Sequence, residues 1–388
     1  MSNGGAIRLA TRGSDLALRQ AASVREALEE RRYDVEVVEV QTRGDEIRDE
    51  LIHRLGKTGA FVRALDEEVL DGDADLAVHS MKDVPTETPD DLVTVGVPER
   101  GTPGDVLVTP EGDALEDLPD GATVGTASQR RTAQLLRARP DLDVRPLRGN
   151  VDTRIEKLLA PSLQREHDQR TEERYRRKAH AGEELPPEVD RESVAPREDD
   201  YEFPYDRTVE EWFEDRSAVE RRALERDPDE AFDAIVLAEA GLERSGLAHH
   251  VAYERLPLRT HVPAPAQGAL AVVGEDTETT RAIRSVLDHP RSRVETTVER
   301  TVLAEVGGGC IAPIGVYAVV QGEYVETTAQ VLSTDGETVV EASRDLPVDR
   351  YAAAAREFAA DLVDRGAAEL IDAAREDDDD GDAEGTRE

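Results

Sequence analysis

Asp75-Leu76-Ala77-Val78-His79-Ser80-Met81-Lys82-Asp83-Val84-Pro85 runs from an apolar segment straight into a charged turn. Residues 75–79 are short, continuous and mostly apolar, which suits a strand covered on both faces. Two similar strands lie upstream. Ile7-Arg8-Leu9-Ala10 stops at Thr11-Arg12-Gly13-Ser14, and residues 35–40 end in Gln41-Thr42-Arg43-Gly44-Asp45. A helix is expected after the first strand, capped by Ser14 or Asp15, with Leu16, Leu18, Ala21, Val24 and Leu28 as its apolar positions. Phe61, Leu65 and Val69 mark a second helix. Strand, helix, strand, helix, strand is the order of a parallel sheet with helices on its faces.

The same order restarts downstream. Residues 98–105, with glycines and prolines, read as a linker. Ala122-Thr123-Val124-Gly125-Thr126 is the next strand, and Ala127-Ser128-Gln129-Arg130-Arg131 opens a helix. Residues 144–147 run into Arg148-Gly149-Asn150-Val151-Asp152-Thr153-Arg154, and residues 232–237 into Gly241-Leu242-Glu243-Arg244. A second linker at 257–265 is followed by Gln267-Gly268 and a strand over 269–273. Two linkers between two sheets predict a chain that crosses over and returns, with a hinged cleft between the units.

The expected division is therefore residues 1–99 with a return segment at 268–286, residues 104–265, and a last unit at 287–375. Residues 160–230 interrupt the second unit. They are dense in Glu, Asp and Arg and read as a solvated or partly helical insertion outside the cores. Tyr201, Phe203, Tyr205, Trp212 and Phe213 would tether its second half. The last unit is expected to be α+β. Val294, Val298, Val302 and Val306 share a helix stripe, and runs at 316–320, 324–332 and 338–346 form a meander through turns at Gln321-Gly322 and Asp335-Gly336. A closing helix carries Tyr351, Phe358, Leu362 and Leu370. Residues 376–388 are expected to be a disordered acidic tail.

The 388 residues carry a net charge of −38, and Lys57, Lys82, Lys157 and Lys178 are the only lysines. Such a surface repels nucleic acid and anionic membrane, so neither is expected as a partner. It suits a salt-loaded cytoplasm, the composition of a halophile. The single cysteine, Cys310, excludes an internal disulfide framework and a cysteine-based zinc site, and no metal is expected. No secretory leader precedes the first strand and no apolar run is long enough to span a bilayer, so a cytoplasmic protein is expected.

Ligands of such sheets bind beyond the carboxyl ends of the strands. There the sequence places Arg12 and Ser14, Lys82 and Asp83, Ser128, Arg130 and Arg131, Arg148 and Arg154, and Arg244. A lone arginine after a strand is usually a solvated charge, and Ser14 and Ser128 have a plainer role as helix caps. Recurrence at successive strand ends of two units favours a shared anionic ligand with several charged groups. Neither GxxxxGK[ST] nor a GxGxxG at the first strand turn is present, which disfavours phosphate and leaves a polycarboxylate. Asp83 is the one carboxylate among these cations; ionised there, it could stabilise a cation developing in the substrate or move a proton. Cys310 lies in Gly307-Gly308-Gly309-Cys310-Ile311-Ala312-Pro313-Ile314-Gly315, between a helix end and a strand. It is either a small buried hydrophobe or a thiolate that carries something covalently.

These residues resemble the hydroxymethylbilane synthase, or porphobilinogen deaminase, family. The matching stretches are Arg8-Leu9-Ala10-Thr11-Arg12, Thr42-Arg43-Gly44-Asp45, Ala77 through Pro85 as quoted above, Val124-Gly125-Thr126, Leu147-Arg148-Gly149-Asn150-Val151 and Gly308-Gly309-Cys310. The resemblance implies two periplasmic-binding-protein-like doubly wound α/β domains and a small α+β domain bearing a dipyrromethane on Cys310 through a thioether. Porphobilinogen would be the substrate, and the chain a monomer. Asp83 matches the catalytic aspartate and Lys82 its neighbour. Arg12, Ser14, Ser128, Arg130, Arg131, Arg148, Arg154 and Arg244 match carboxylate-binding positions, with Asp45, Lys82, Asp83, Thr126 and Gln267 as further cofactor contacts. Two departures stand out. The family's mobile-loop lysine falls one place later than Lys57, and the insertion replaces a short connection. A non-catalytic binding protein for a polycarboxylate would also explain the arginines, but not Cys310 or Asp83.

Overall fold

A computed structural model describes residues 6–40, 58–86, 89–187, 189–194, 204–226, 231–309 and 312–384. The first sheet is built from β1 (Ile7–Arg12), α1 (Asp15–Glu29), β2 (Val35–Val40), α2 (Thr58–Leu70), β3 (Leu76–Ser80) and β4 (Leu92–Gly96). The second follows with β5 (Asp105–Val108), β6 (Thr123–Thr126), α3 (Gln129–Ala138), β7 (Asp143–Pro146), α4 (Val151–His180), α5 (Val209–Glu214), α6 (Ala218–Leu224), β8 (Ala234–Ala238), α7 (Glu239–Ser245) and β9 (Tyr253–Arg255). The chain then returns to the first sheet as β10 (Leu270–Glu275), flanked by α8 (Glu278–Leu287). It ends in α9 (Pro290–Glu305), β11 (Ile314–Gln321), β12 (Tyr324–Leu332), β13 (Val339–Pro347), α10 (Tyr351–Val363) and α11 (Ala367–Glu384).

The strand orders are β2-β1-β3-β10-β4, β7-β6-β8-β5-β9 and β11-β12-β13. Parallel pairing was expected throughout the first two sheets. It holds for β1 with β2 and β3, and for β6 with β7 and β8. β10 instead runs antiparallel to both its neighbours, and β5 to both of its own. Connectivity explains this mixture. The chain re-enters the first sheet beside the point where it left, with Val272 opposite Gly96, so the returning strand must run the other way. β4, β5 and β9 are strands beyond those the sequence pattern predicts. They are short segments beside the linkers, where glycine and proline hide a strand signal.

Local sequence explains most elements. Ala21, Val24 and Leu28 of α1 are buried on one stripe against Leu9, Leu76 and Val78. Ser14 is the cap of α1, its hydroxyl accepting the Ala17 N–H at 3.3 Å. The third sheet is the expected antiparallel meander, and Val298, Val302 and Val306 pack with Phe358 and Leu362 against it. The meander also touches the second sheet. Gln134 donates to Gln330 at 2.8 Å, and the backbone at Gly336 lies so close to α3 that a Cβ there would come within 2.2 Å of the Ala133 carbonyl.

The insertion departs from expectation. α4 runs unbroken through Pro161, and Leu159, Ala160 and Leu163 are buried with Trp212, Val219 and Ala223 in the core beneath the second sheet. Beyond Leu163 the apolar stripe stops. The helix is held there by ion pairs such as Arg170–Glu166 at 2.8 Å, and by Arg170 lying 4.2 Å over the Tyr205 ring. Trp212 is the expected tether, whereas Phe213 faces outward; Tyr201 and Phe203 lie outside the described residues. The tail also differs: α11 continues from the buried Ala367, Ile371 and Ala374 through Glu384 rather than ending near Arg375. No described helix is long and apolar enough to cross a membrane.

Candidate active site

The carboxyl end of β3 delivers Lys82 and Asp83 on a single 3-10 turn, Met81–Asp83. Met81 and Val84 are buried on either side and pin the turn, which leaves Lys82 and Asp83 partly exposed between them. Burial pushes the Lys82 ammonium below its ordinary value; Asp83 opposes that shift, and Arg131 adds to it. The field of Arg131, from the second sheet, therefore reaches the turn of the first. Arg154 is lowered to about 10 by its own burial and by the same Arg131. Its Nε donates to the Gly149 carbonyl at 2.9 Å. Several partly desolvated cations thus crowd one region, an arrangement that favours an incoming polyanion.

Arg130 and Arg131, expected at carboxylate-binding positions, both pair with an internal carboxylate, Asp105. Arg130 Nη2 lies 2.8 Å from Asp105 Oδ2, and Arg131 Nη2 lies 2.8 Å from Oδ1. Arg130 also donates to the Val262 carbonyl at 2.8 Å, and Arg131 to the Val236 carbonyl at 3.1 Å. Burial alone would raise the Asp105 carboxyl, but the two guanidiniums hold it well below the usual carboxylate range. Gln267 belongs to the same knot. Its amide donates to Asp105 Oδ1 at 2.9 Å and to the Pro103 and Gly104 carbonyls at 2.7 and 3.0 Å. Asp105 sits at the end of a linker, and its one signal in the sequence is that an aspartate opens the apolar run Val106-Leu107-Val108.

The remaining positions divide clearly. Arg12 ends β1 and Thr126 ends β6, both at the carboxyl ends expected to meet ligand. Thr126 is buried, its hydroxyl accepting the Ser128 N–H at 3.3 Å. Ser128 stands at the cap position of α3 without a side-chain cap bond, unlike Ser14. Arg148 is exposed. Arg244 is half-buried, lowered by burial, and donates to the Gly268 carbonyl at 2.6 Å. Asp45, Lys57 and Cys310 lie outside the described residues.

A second buried knot ties the crossing segments together. Arg100 meets Glu299 through two hydrogen bonds of 2.8 and 2.9 Å, and its Nε donates to the Gln267 carbonyl at 2.8 Å. Glu299 also accepts the Ala266 and Ala318 N–H groups at 2.6 and 2.8 Å. One carboxylate thus joins the outgoing chain, the returning chain, α9 and β11. Nearby His261 is buried; its Nδ1 lies 3.1 Å from the Thr260 hydroxyl, and its Nε2 has no hydrogen-bond partner among the described residues.

The family model described as "Porphobilinogen deaminase, dipyromethane cofactor binding domain" matches residues 7–165 and 210–282, and that described as "Porphobilinogen deaminase, C-terminal domain" matches residues 294–364. A probable porphobilinogen deaminase from Halobacterium salinarum is 55% identical, over 95% of this chain and 98% of its own. One from Methanococcoides burtonii is 37% identical, over 94% of this chain and 95% of its own. Among solved structures, a periplasmic substrate-binding protein of an ABC transporter from Coxiella burnetii is similar at a TM-score of 0.35 and 12% identity, over 73% of this chain and 92% of its own.

Proposed function

This chain belongs to the porphobilinogen deaminase family, and from that premise we propose that Asp83 and the cations around its turn carry the family's reaction here. The protein is a hydroxymethylbilane synthase, a transferase that condenses four porphobilinogen molecules head to tail onto a dipyrromethane primer, with release of ammonia and then of the linear tetrapyrrole. The single observation behind the assignment of roles is the β3 turn, which presents one carboxylate, Asp83, beside the half-buried Lys82, whose ammonium is lowered by burial and by Arg131.

The residues present suit the cofactor. Each pyrrole unit brings an acetate and a propionate, and the crowding that lowers Lys82 and Arg154 is relieved by carboxylates placed among them. Arg12, Ser14, Thr126, Ser128, Arg148, Arg154 and Arg244 would hold those groups, with Cys310 as the point of attachment and Asp45 as a further contact. When bound, the dipyrromethane supplies the pyrrole carbon to which the first incoming substrate is joined. Arg130 and Arg131 act at one remove: fixed on Asp105, they supply positive field without themselves needing to move. Loss of ammonia from porphobilinogen leaves an electron-poor methylene-pyrrole, and the Asp83 carboxylate stabilises that positive charge as it develops. We read the acidic, lysine-poor surface as that of a cytoplasmic monomer in a salt-rich cell.

Asp83→Asn keeps the side-chain shape and removes the charge. It is expected to lower kcat by about two orders of magnitude or more with KM little changed. The intact mass of the purified protein should exceed that of the chain by a covalent dipyrromethane, and Cys310→Ser should abolish both the excess and turnover. An Asp83→Asn enzyme with full kcat and raised KM would make Asp83 a binding residue. A purified chain of unmodified mass that still binds polycarboxylates would indicate a non-catalytic binding protein.

A further inference from the structure

We infer that Arg300 is a positioning residue for the Asp83 turn, suspending it from the helix that leads to Cys310. Arg300 lies on α9, on the C-terminal part of the chain, while the turn belongs to the first sheet. Its Nη1 donates to the Met81 carbonyl at 3.2 Å and to the Val84 carbonyl at 2.8 Å, and its Nη2 to the Pro85 carbonyl at 2.7 Å. One side chain therefore binds three of the five carbonyls between Met81 and Pro85, bracketing Lys82 and Asp83 on both sides. The backbone supplies less: Met81 N–H donates to the Ala269 carbonyl at 3.0 Å, and Val84 N–H closes the turn on Met81 at 3.2 Å. Pro85 has no N–H to contribute.

The chemistry requires arginine. A guanidinium presents several N–H groups in one rigid plane, so it can serve carbonyls that diverge around a turn; an ammonium offers a point charge with no fixed fork. Hydrogen bonds from a charged donor are also stronger than neutral ones. Three hydrogen bonds from the terminal nitrogens of Arg300 go to main-chain carbonyls of the turn, and in that way the side chain positions it. The same helix ends at Glu305, five residues before Cys310 in the sequence. Arg300 thus ties the turn that bears Asp83 to a helix of the C-terminal unit.

The inference rests on the assignment of Asp83 as the catalytic carboxylate, and a double-mutant cycle separates the two. Arg300→Gln, Asp83→Asn and the double variant would be purified as cofactor-loaded enzymes, with loading verified by intact mass. A displacement of the turn of about 1 Å is expected to lower kcat of Arg300→Gln by roughly 10- to 100-fold with KM within about twofold. Adding it to Asp83→Asn should cost little more, because the turn then has no carboxylate to place. Amide hydrogen exchange gives a readout independent of turnover: peptides covering residues 80–86 should exchange faster in Arg300→Gln while those from β1 and α10 stay protected. Arg300→Lys, which keeps the charge and part of the reach, should fall between wild type and Arg300→Gln on both measures; it also serves if Arg300→Gln does not fold. Losses that multiply in the double variant, or unchanged exchange over 80–86, would overturn the positioning role. An Asp83→Asn enzyme with normal kcat would instead overturn the assignment of Asp83, whatever Arg300 does.

Discussion

At the scale of single residues, the buried charges fall into two kinds. Arg130 and Arg131 share the Asp105 carboxylate, leaving a net positive cluster, and Arg100 pairs one to one with Glu299; losing a partner from either set strands buried charge in a poor dielectric. His261 is the different case, a buried imidazole that has to stay neutral. Burial lowers its pKa to about 4 from the ordinary 6.5, an effect that Asp105 opposes and Arg130 reinforces. In the folded protein the ring resists protonation, while in the unfolded chain it binds a proton below its ordinary value. The His261 contribution to stability is thus complete above about pH 6.5 and is lost as pH falls toward 4. It amounts to about 3 kcal/mol at most. Denaturant unfolding of His261→Gln at several pH values should show a flatter fall in stability between pH 7 and 4 than the wild type, at constant salt. Identical slopes for the two proteins would assign the acid sensitivity elsewhere.

At the scale of elements, the decisive case is α4 with α5 and α6. A charged sequence interrupted by Pro161 has the marks of a solvated insertion. Yet Trp212, Val219 and Ala223 close over Leu158, Leu159 and Leu163 and complete the core under the second sheet. The Gln164 amide adds hydrogen bonds to the Leu224 and Arg226 carbonyls, at 3.3 and 2.5 Å. Glu156, buried at its carboxylate, pairs with Arg222 and Arg226 across the same contact. The segment is therefore part of the second unit's structure. Trp212→Ala should cost about 3–5 kcal/mol, read as a lower midpoint of chemical unfolding. Replacing residues 161–200 by a Gly/Ser linker should destabilise the second sheet even in high salt, because it removes Leu163 and Gln164. A fully stable deletion variant would show that the packing of α4 beyond Ala160 contributes little.

At the scale of the whole molecule, a net charge of −38 stands against a polycarboxylate ligand. At about 0.01 M salt the Debye length is roughly 30 Å, so the acidic surface repels both itself and the approaching substrate. Added salt screens these long-range terms. Cation contacts to ligand carboxylates around the Asp83 turn would act over short distances and be partly desolvated, so salt weakens them less. Activity should therefore rise with salt, opposite to the behaviour of a simple arginine–carboxylate site. Substrate affinity and far-UV circular dichroism followed together separate the two causes. Affinity that improves in dilute buffer while the fold persists would mean that the local cations outweigh the global charge.

The sequence by itself determined what depends on short range. Strand–helix alternation, the Ser14 cap, the apolar stripes of α1 and α9, and the turn bearing Lys82 and Asp83 are each written within a few consecutive residues, where periodicity and capping act. The motif residues also carried the family resemblance. Tertiary structure alone decided what depends on pairing between distant segments. Whether β10 runs parallel or antiparallel depends on where the chain re-enters the sheet, and no residue within the strand records that. That Arg130 and Arg131 share an internal carboxylate shows only once Asp105 arrives from another strand. Arg300 looks like one more charge on a helix until the fold brings it to the carbonyls of residues 81–85. A charged group is defined by its partner, and the partner is chosen by the folded chain.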